Sequence, residues 1–272
     1  MKTSGIITLT SDFGLKDPYV GTMKGVILSI NPEARMIDIS HQVKAGSIFQ
    51  ASDLIREAYP FFPKGTIHVA VIDPGVGGKR RPIVVDAGGH LFVGPDNGLF
   101  WPIIRSRQEA AIFHLTKGTY FLPEISRTFH GRDIFAPVAA YLTRGVDPSD
   151  MGPTITDPIK LATPEPNQKG DVILGQVIRV DRFGNVITNI GRDLLEHLSG
   201  MGQPVIRAGN LIIKGIRKTY SEVGEGEMLA LIGSSGRLEI ALNLGRACDR
   251  LGPDSRDASA GIVGMEIEVR KV

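Results

Sequence analysis

Five prolines, Pro148, Pro153, Pro158, Pro164 and Pro166, fall between Asp147 and Asp171. Proline has no amide hydrogen and clashes with the preceding turn, so neither a helix nor a central strand runs through such a stretch. The chain is thereby divided into two segments that must each bury their own apolar face. The patterns on either side differ, and we expect an α/β domain over residues 1–160, a linker over 161–170 and a smaller all-β, barrel-like domain over 171–272.

Ahead of the break, β-type runs alternate with helix-period segments. Ile6–Thr10 is a short apolar run ending at Ser11-Asp12-Phe13-Gly14. Asp17-Pro18 pairs an N-cap residue with a first-turn proline, and Val20, Met23, Ile27 and Ile30 follow at helical spacing until Asn31-Pro32. A strand is expected over Met36–Ile39 and a helix over Ser47–Tyr59. Thr66–Ile72 is nearly all apolar, the pattern of a strand buried on both faces, and stops at Asp73-Pro74-Gly75-Val76-Gly77-Gly78. Ile83–Val85 and Leu91–Val93 read as paired strands, and Phe135, Val138, Ala139 and Leu142 support a helix from Asp133 to Arg144 with Gly145 as its stop. This alternation predicts a central, mostly parallel sheet. Beyond the break only short β-type runs recur, over Ile173–Val180, Val186–Ile190, Pro204–Ala208, Met228–Ile232, Leu238–Ala241 and Met265–Val269.

Composition removes several classes of function. Lys and Arg number 31 against 29 Asp and Glu, so no bulk positive charge marks a nucleic-acid binder. The basic cluster Lys79-Arg80-Arg81 reads as a solvated turn. Cys248 is the single cysteine, which rules out an intrachain disulfide and a multi-cysteine metal site. No apolar run reaches the length of a membrane span and no export signal is legible, so the expectation is a cytoplasmic protein with no membrane partner.

Asp12, Asp38 and Asp73 each close a β-type run, and the C-terminal edge of an open α/β sheet is where ligands bind. Three such carboxylates could hold a metal, accept sugar hydroxyls or orient a water; equally, Asp suits strand-end turns. Asp12-Phe13-Gly14 lacks every other element of a kinase, and the glycines after Asp73 spell neither a P-loop nor a dinucleotide fingerprint. His41, His68, His90, His114 and His197 show no metal-ligand spacing and read as structural or surface residues. His130 stands apart, in Ser126-Arg127-Thr128-Phe129-His130-Gly131-Arg132-Asp133, a polar segment just before a helix. Asp181-Arg182-Phe183-Gly184-Asn185 is either a hairpin or a site.

Six segments together resemble the family of S-adenosyl-L-methionine hydroxide adenosyltransferases and its fluorinating and chlorinating relatives. They are TLTSDFGLKDPYVGTMKG, HVAVIDPGVGG, VGPDNGLF, TFHGRDIFAPVAAYL, VIRVDRFGNVITNI and GSSGRLEIALNLG, in consistent order from Thr8 to Gly245. The resemblance implies an α/β domain followed by a β-barrel domain. It further implies a homotrimer whose active sites each join the first domain of one subunit to the second domain of its neighbour.

It also implies a reaction: water or hydroxide attacks the ribose C5′ of S-adenosyl-L-methionine, giving adenosine and L-methionine with neither cofactor nor metal. Asp73, Arg80 and His130 fall where the hydrolytic branch handles its water. Asp12 matches the carboxylate on the ribose hydroxyls; Asp17, Asp181 and Ser234 match positions around the methionine end; Asn185 and Asn243 match positions in the second domain. Tyr19 stands where halogenating relatives carry a smaller polar residue, and the chain has no room for the extra loop of the fluorinating members. Three alternatives remain on sequence grounds: a halide-using adenosyltransferase, a non-catalytic nucleoside or S-adenosyl-L-methionine sensor, and a metal-dependent hydrolase built on Asp12, Asp38 and Asp73.

Overall fold

The computed structural model describes residues 2–198, 203–252 and 261–271; positions 199–202 and 253–260 of the expected barrel domain lie outside the described residues. The chain separates into two compact units, Met1–Ala162 and Thr163–Val272.

In the first unit the order is β1 (Ile6–Ser11), α1 (Tyr19–Ile30), β2 (Arg35–Ser40), α2 (Ile48–Ala58), β3 (Ile67–Val71), β4 (Pro82–Ala87), β5 (His90–Pro95), α3 (Trp101–Arg105), β6 (Ala111–His114) and α4 (Ala136–Thr143). The strands form one sheet in the order β2-β1-β3-β5-β4-β6. β1 is parallel to both β2 and β3, and β3 to β5, whereas β4 runs antiparallel to β5 and β6. Every residue of β1 and β3 is buried, which is why these runs lack the alternation of a half-exposed strand. Met23 and Ile27 of α1 and Val138 and Leu142 of α4 belong to one core cluster with Ile7 and Leu9; Ala51 and Ile55 of α2 and Ile103 of α3 belong to another with Ala70 and Val85. Helices therefore cover the sheet on both sides. Each fully enclosed aliphatic chain contributes about 1.5–3 kcal/mol of burial.

Two local expectations change. Pro18, not Asp17, occupies the N-cap of α1, and no side chain caps that end. The helix expected from Asp133 begins instead as a π-helical turn over Gly131–Phe135 before α4. Pro137 explains it: with no amide hydrogen it cannot bond back to the carbonyl of Asp133, which accepts from Leu122 N at 2.9 Å.

The second unit runs β7 (Asn167–Lys169), β8 (Val172–Val180), β9 (Val186–Gly191), α5 (Arg192–Leu198), β10 (Val205–Ala208), β11 (Leu211–Lys214), β12 (Met228–Ile232), β13 (Arg237–Leu242), α6 (Ala247–Leu251) and β14 (Glu266–Arg270). The strands follow the path β11-β10-β14-β8-β9-β13-β12, with β7 beside β8. A bridge between Arg217, just past β11, and Leu231 of β12 brings the two ends together, so the sheet is a nearly closed barrel. Closure hides the strand edges that would otherwise seek partners. Ile173, Val186, Ile206, Ile240 and Ile267 fill the interior.

A pair of histidines sits inside the first unit. His68 of β3 is 2% exposed, with Nδ1 2.8 Å from Thr8 Oγ1 and Nε2 3.3 Å from His90 Nδ1. Burial, with the charge of His90 adding to it, holds His68 at a pKa of about 3; burial, with Lys64 and Arg107, holds His90 at about 4. In the unfolded chain both titrate near 6.5. Below that pH the unfolded chain takes up protons that the fold refuses, so stability falls as pH drops from 6.5 towards 4. The loss at pH 4.5 is about 2 kcal/mol for each imidazole. Urea midpoints at pH 7.5 and 4.5 should therefore differ less in His90→Gln than in the wild type; an equal difference in both would contradict this account.

Candidate active site

The sheet itself chooses where a site can form. The chain leaves β1 for β2 on one side and then passes to β3 on the other, so β1 and β3 flank the point where strand order reverses. Loops diverge there at the C-terminal ends of parallel strands and leave a crevice. Asp12 directly follows β1, and Asp73 lies two residues past the end of β3. In the turn after Asp73, Val76 N donates to Asp73 O at 3.1 Å and Gly78 N to Gly75 O at 3.0 Å. Gly77 has φ +74°, and a Cβ there would lie 2.3 Å from the carbonyl oxygen of Arg127. Only glycine lets this turn lie against the segment that carries His130.

The close approach brings together three of the residues singled out in the sequence. Arg80 Nε donates to both carboxylate oxygens of Asp73 at 3.0 Å, and Nη2 donates to Asp73 Oδ2 at 2.5 Å. The same Nη2 stands 2.6 Å from His130 Nδ1. A guanidinium only donates, so His130 Nδ1 accepts and carries no proton. The side chains of Arg80 and Asp73 are 9% and 5% exposed, and the guanidinium carbon lies 5.5 Å from the centroid of the Phe135 ring. Burial first, and the Arg80 charge second, hold the His130 pKa below its ordinary value against the opposing pull of Asp73, Asp133 and a main-chain hydrogen bond at Ser126. The imidazole is thereby kept neutral at physiological pH.

A cavity of about 150 Å³ opens on this arrangement, walled by Asp12, Phe13, Gly46, Asp73, Phe129 and His130 among others. Arg80 joins the two wall residues Asp73 and His130. Asp12 Oδ2 accepts from Gly46 N at 2.8 Å, which leaves lone pairs on both oxygens for further donors. Tyr19 does not line the cavity; its ring packs 5.7 Å from Phe13 and 5.2 Å from Phe129, both of which do. Asp17 is exposed in the turn before α1, also away from the wall.

Asp38 is not with Asp12 and Asp73. It lies within β2 rather than beyond it, with Oδ2 2.6 Å from Lys24 Nζ and Oδ1 3.2 Å from His41 Nε2. The triple-carboxylate arrangement considered for a metal is therefore not assembled. Among the described residues no group of three or more His, Cys, Asp or Glu side chains takes ligand geometry.

The second unit has its own cleft, of about 520 Å³, lined by Phe183, Asn185, Tyr220, Leu242, Leu244 and Arg246. Phe183 and Leu244 are 74% and 81% exposed, and Leu244 holds φ +57°. A left-handed non-glycine residue costs roughly 1–2 kcal/mol, so the fold maintains this apolar rim against a gradient. Asp181 closes the loop beneath: Oδ1 accepts from Phe183 N and Asn185 N, and Oδ2 from Asn185 Nδ2, each at 2.9 Å. Ser234 is exposed in the turn between β12 and β13. Asn243 donates through Nδ2 to Val223 O at 2.8 Å, tying down a loop beside the cleft rather than lining it.

Sequence reasoning passed over the aromatic walls Phe13 and Phe129 and the rim residues Phe183, Tyr220 and Leu244. A signal existed for Phe13, Phe129 and Phe183: each is a large apolar residue in a polar, turn-forming stretch. Gly46 gave none, because a main-chain donor leaves no trace in residue type.

Residues 7–152 match the S-adenosyl-L-methionine hydroxide adenosyltransferase N-terminal domain and residues 175–259 the C-terminal domain of the same name. The chain is 37% identical over 253 residues to the (R)-S-adenosyl-L-methionine hydrolase of Salinispora tropica, covering 90% of this chain and 93% of that one. It is 36% identical to the enzyme of that name from Thermus thermophilus, covering 89% and 93%. A fluorinase of an Actinoplanes species is 26% identical, over 88% and 91%. A crystal structure of an uncharacterized conserved protein from Thermotoga maritima superposes with a TM-score of 0.89 at 38% identity, over 98% of this chain and all of that one. With both domains matched in order and the hydrolases well ahead of the fluorinase in identity, the chain belongs to the S-adenosyl-L-methionine hydroxide adenosyltransferase family.

Proposed function

We propose that this protein hydrolyses S-adenosyl-L-methionine to adenosine and L-methionine, with Asp73, Arg80 and His130 handling the attacking water. The observation that carries the reading is the enclosed Asp73–Arg80–His130 arrangement beside a cavity that also holds Asp12. Similar relatives from Salinispora tropica and Thermus thermophilus, named for hydrolysis of the (R) form of this sulfonium, support the same reaction.

The chemistry asks little of the leaving group and much of the nucleophile. A sulfonium departs as a neutral thioether, so no acid need protonate it. Water, with a pKa of about 15.7, attacks carbon poorly unless a positive charge favours its hydroxide character. Arg80 supplies that charge beside Asp73 and His130, in surroundings where its field is weakly screened. Asp73 and His130 line the cavity and orient the water, and its proton passes to this coupled set. Asp12 accepts the ribose hydroxyls and so fixes C5′ relative to the water. Attack opposite sulfur then completes a single displacement, with no covalent enzyme intermediate.

The cavity in the first unit is smaller than the roughly 300–1,000 Å³ of a typical small-molecule site. It suits a ribose and a water but not the whole substrate. The apolar cleft of the second unit, with Asn185 in its wall, offers a place for the flat base. In this proposal the protein is a homotrimer in which the second unit of one subunit completes the site of its neighbour. Asp17, Asp181 and Ser234 hold the methionine end there, Tyr19 backs the aromatic wall, and Asn243 steadies the loop at the base. No helix among the described residues is long and apolar enough to cross a membrane.

Incubation of the purified protein with the separate (R) and (S) sulfonium epimers, with and without excess chloride, should yield adenosine and methionine in equal amounts, faster from the (R) form and independent of chloride. A chloride-dependent 5′-chloro nucleoside would instead establish a halide-using transferase, and bound but unchanged substrate a sensor. Arg80→Ala and His130→Ala should each lower kcat by about 100-fold or more while substrate affinity changes by only a few fold. Equal losses of binding and turnover would reassign both residues to substrate anchoring.

A further inference from the structure

Asp133 is fully buried, carries a carboxylate, and has no part in the mechanism above. Its Oδ2 accepts from Ser126 N at 2.7 Å, and Arg132 donates Nε to Oδ1 at 2.5 Å and Nη2 to Oδ2 at 3.1 Å. Its own amide donates to Phe129 O at 3.2 Å, and its carbonyl accepts from Leu122 N at 2.9 Å. Asp133 thus gathers residues 122 to 129, the strand of chain that delivers His130, onto one buried group. An enclosed carboxylate is costly unless its oxygens are bonded, so the loop that satisfies it is held in one place.

The segment so held runs directly into His130. Nδ1 is already an acceptor from Arg80 at 2.6 Å, and a neutral imidazole has one N–H. That N–H is therefore on Nε2. Hydrogen bonds join His130, Arg80 and Asp73, and Asp133 holds the segment that leads into His130.

We propose that Asp133 is a positioning residue for the reaction: by holding the segment ahead of His130 through Ser126 and Phe129, it sets the ring where Nδ1 meets Arg80, in the Nε2–H tautomer, and so keeps Arg80 against Asp73. His130 then serves as an acceptor that aims the guanidinium, and Asp73, whose Oδ1 accepts from Arg80 Nε and keeps a further lone pair, takes the proton of the water. This rests on the hydrolytic reading above. The charged groups that face His130 are Arg80 and Asp73, from the connection after β3, and Asp133, from its own π-helical turn. Arg80 disfavours the imidazolium and the two carboxylates favour it. Removal of the Asp133 charge must therefore make His130 harder to protonate.

The test uses the full-length protein labelled with [15N]histidine, with the His130 signal assigned by its absence in His130→Gln. In the wild type, Nδ1 of His130 should appear as an unprotonated, pyridine-type nitrogen and Nε2 as protonated. In Asp133→Asn, which keeps an oxygen for Ser126 N, the His130 titration midpoint should fall by about half a pH unit. Its kcat should drop about 10-fold with KM within about twofold, and Asp133→Ala, which frees the loop, should lose about 100-fold. A wild-type ring protonated on Nδ1 would overturn the proposal, as would an Asp133→Asn midpoint that stays put or rises. The tautomer is read without turnover, so it decides the matter even where Asp133→Ala does not fold. Absence of wild-type turnover, by contrast, would sink the hydrolytic reading and leave the tautomer result standing.

Discussion

Two charges largely withdrawn from water, the carboxylate of Asp73 and the guanidinium of Arg80, hold the first unit's crevice in shape. Such a pair is stable only while both members are present and their remaining hydrogen-bonding capacity is used; loss of one partner typically costs about 3–5 kcal/mol. The surroundings are arranged to meet that demand. His130 takes a second Nη2 hydrogen of Arg80, Phe135 lies against the guanidinium, and the Gly77 turn lets the two loops touch. Arg80 therefore has little freedom to move. In the proposed mechanism that rigidity matters, because a charge already oriented towards the water needs no reorganisation when hydroxide character develops.

The sheet explains why these loops meet at all. β1 and β3 are adjacent and parallel, and their following loops diverge at the reversal of strand order. Asp12 and Asp73 owe their proximity to that topology and not to nearness in sequence. The barrel unit uses a different device. Its cleft is rimmed by apolar side chains held out to solvent, one on a left-handed backbone, above a loop closed by Asp181. An exposed apolar rim of this kind is a surface in wait of something flat and poorly hydrated.

Much of this was legible in residue order because the signals were strong where burial was complete. β3 could be read from its unbroken apolar run, and the division into two units from five prolines and the change of period across them. The N-cap of α1 was misread because Asp-Pro pairs well with a helix start in isolation, yet the chain turns one residue later. The π-helical turn at Gly131 was hidden because its cause, Pro137, lies a full turn downstream. Short elements such as β6, β7 and β11 carry too few residues to show a period. Asp38 shared the sequence signature of Asp12 and Asp73, but only the structure shows Lys24 and His41 drawing it away. The family resemblance supplied the choice of Asp73, Arg80 and His130; the geometry adds that Arg80 bridges the other two and that Asp133 ties down the segment ahead of His130.

The central claim is that an oxygen from water is delivered to the ribose C5′. Turnover of S-adenosyl-L-methionine in H2(18)O, with mass analysis of both products, tests it directly. The account predicts one heavy oxygen on the 5′ position of adenosine and none in methionine. Heavy oxygen in homoserine, released together with methylthioadenosine, would place the attack on the methionine chain and contradict the account.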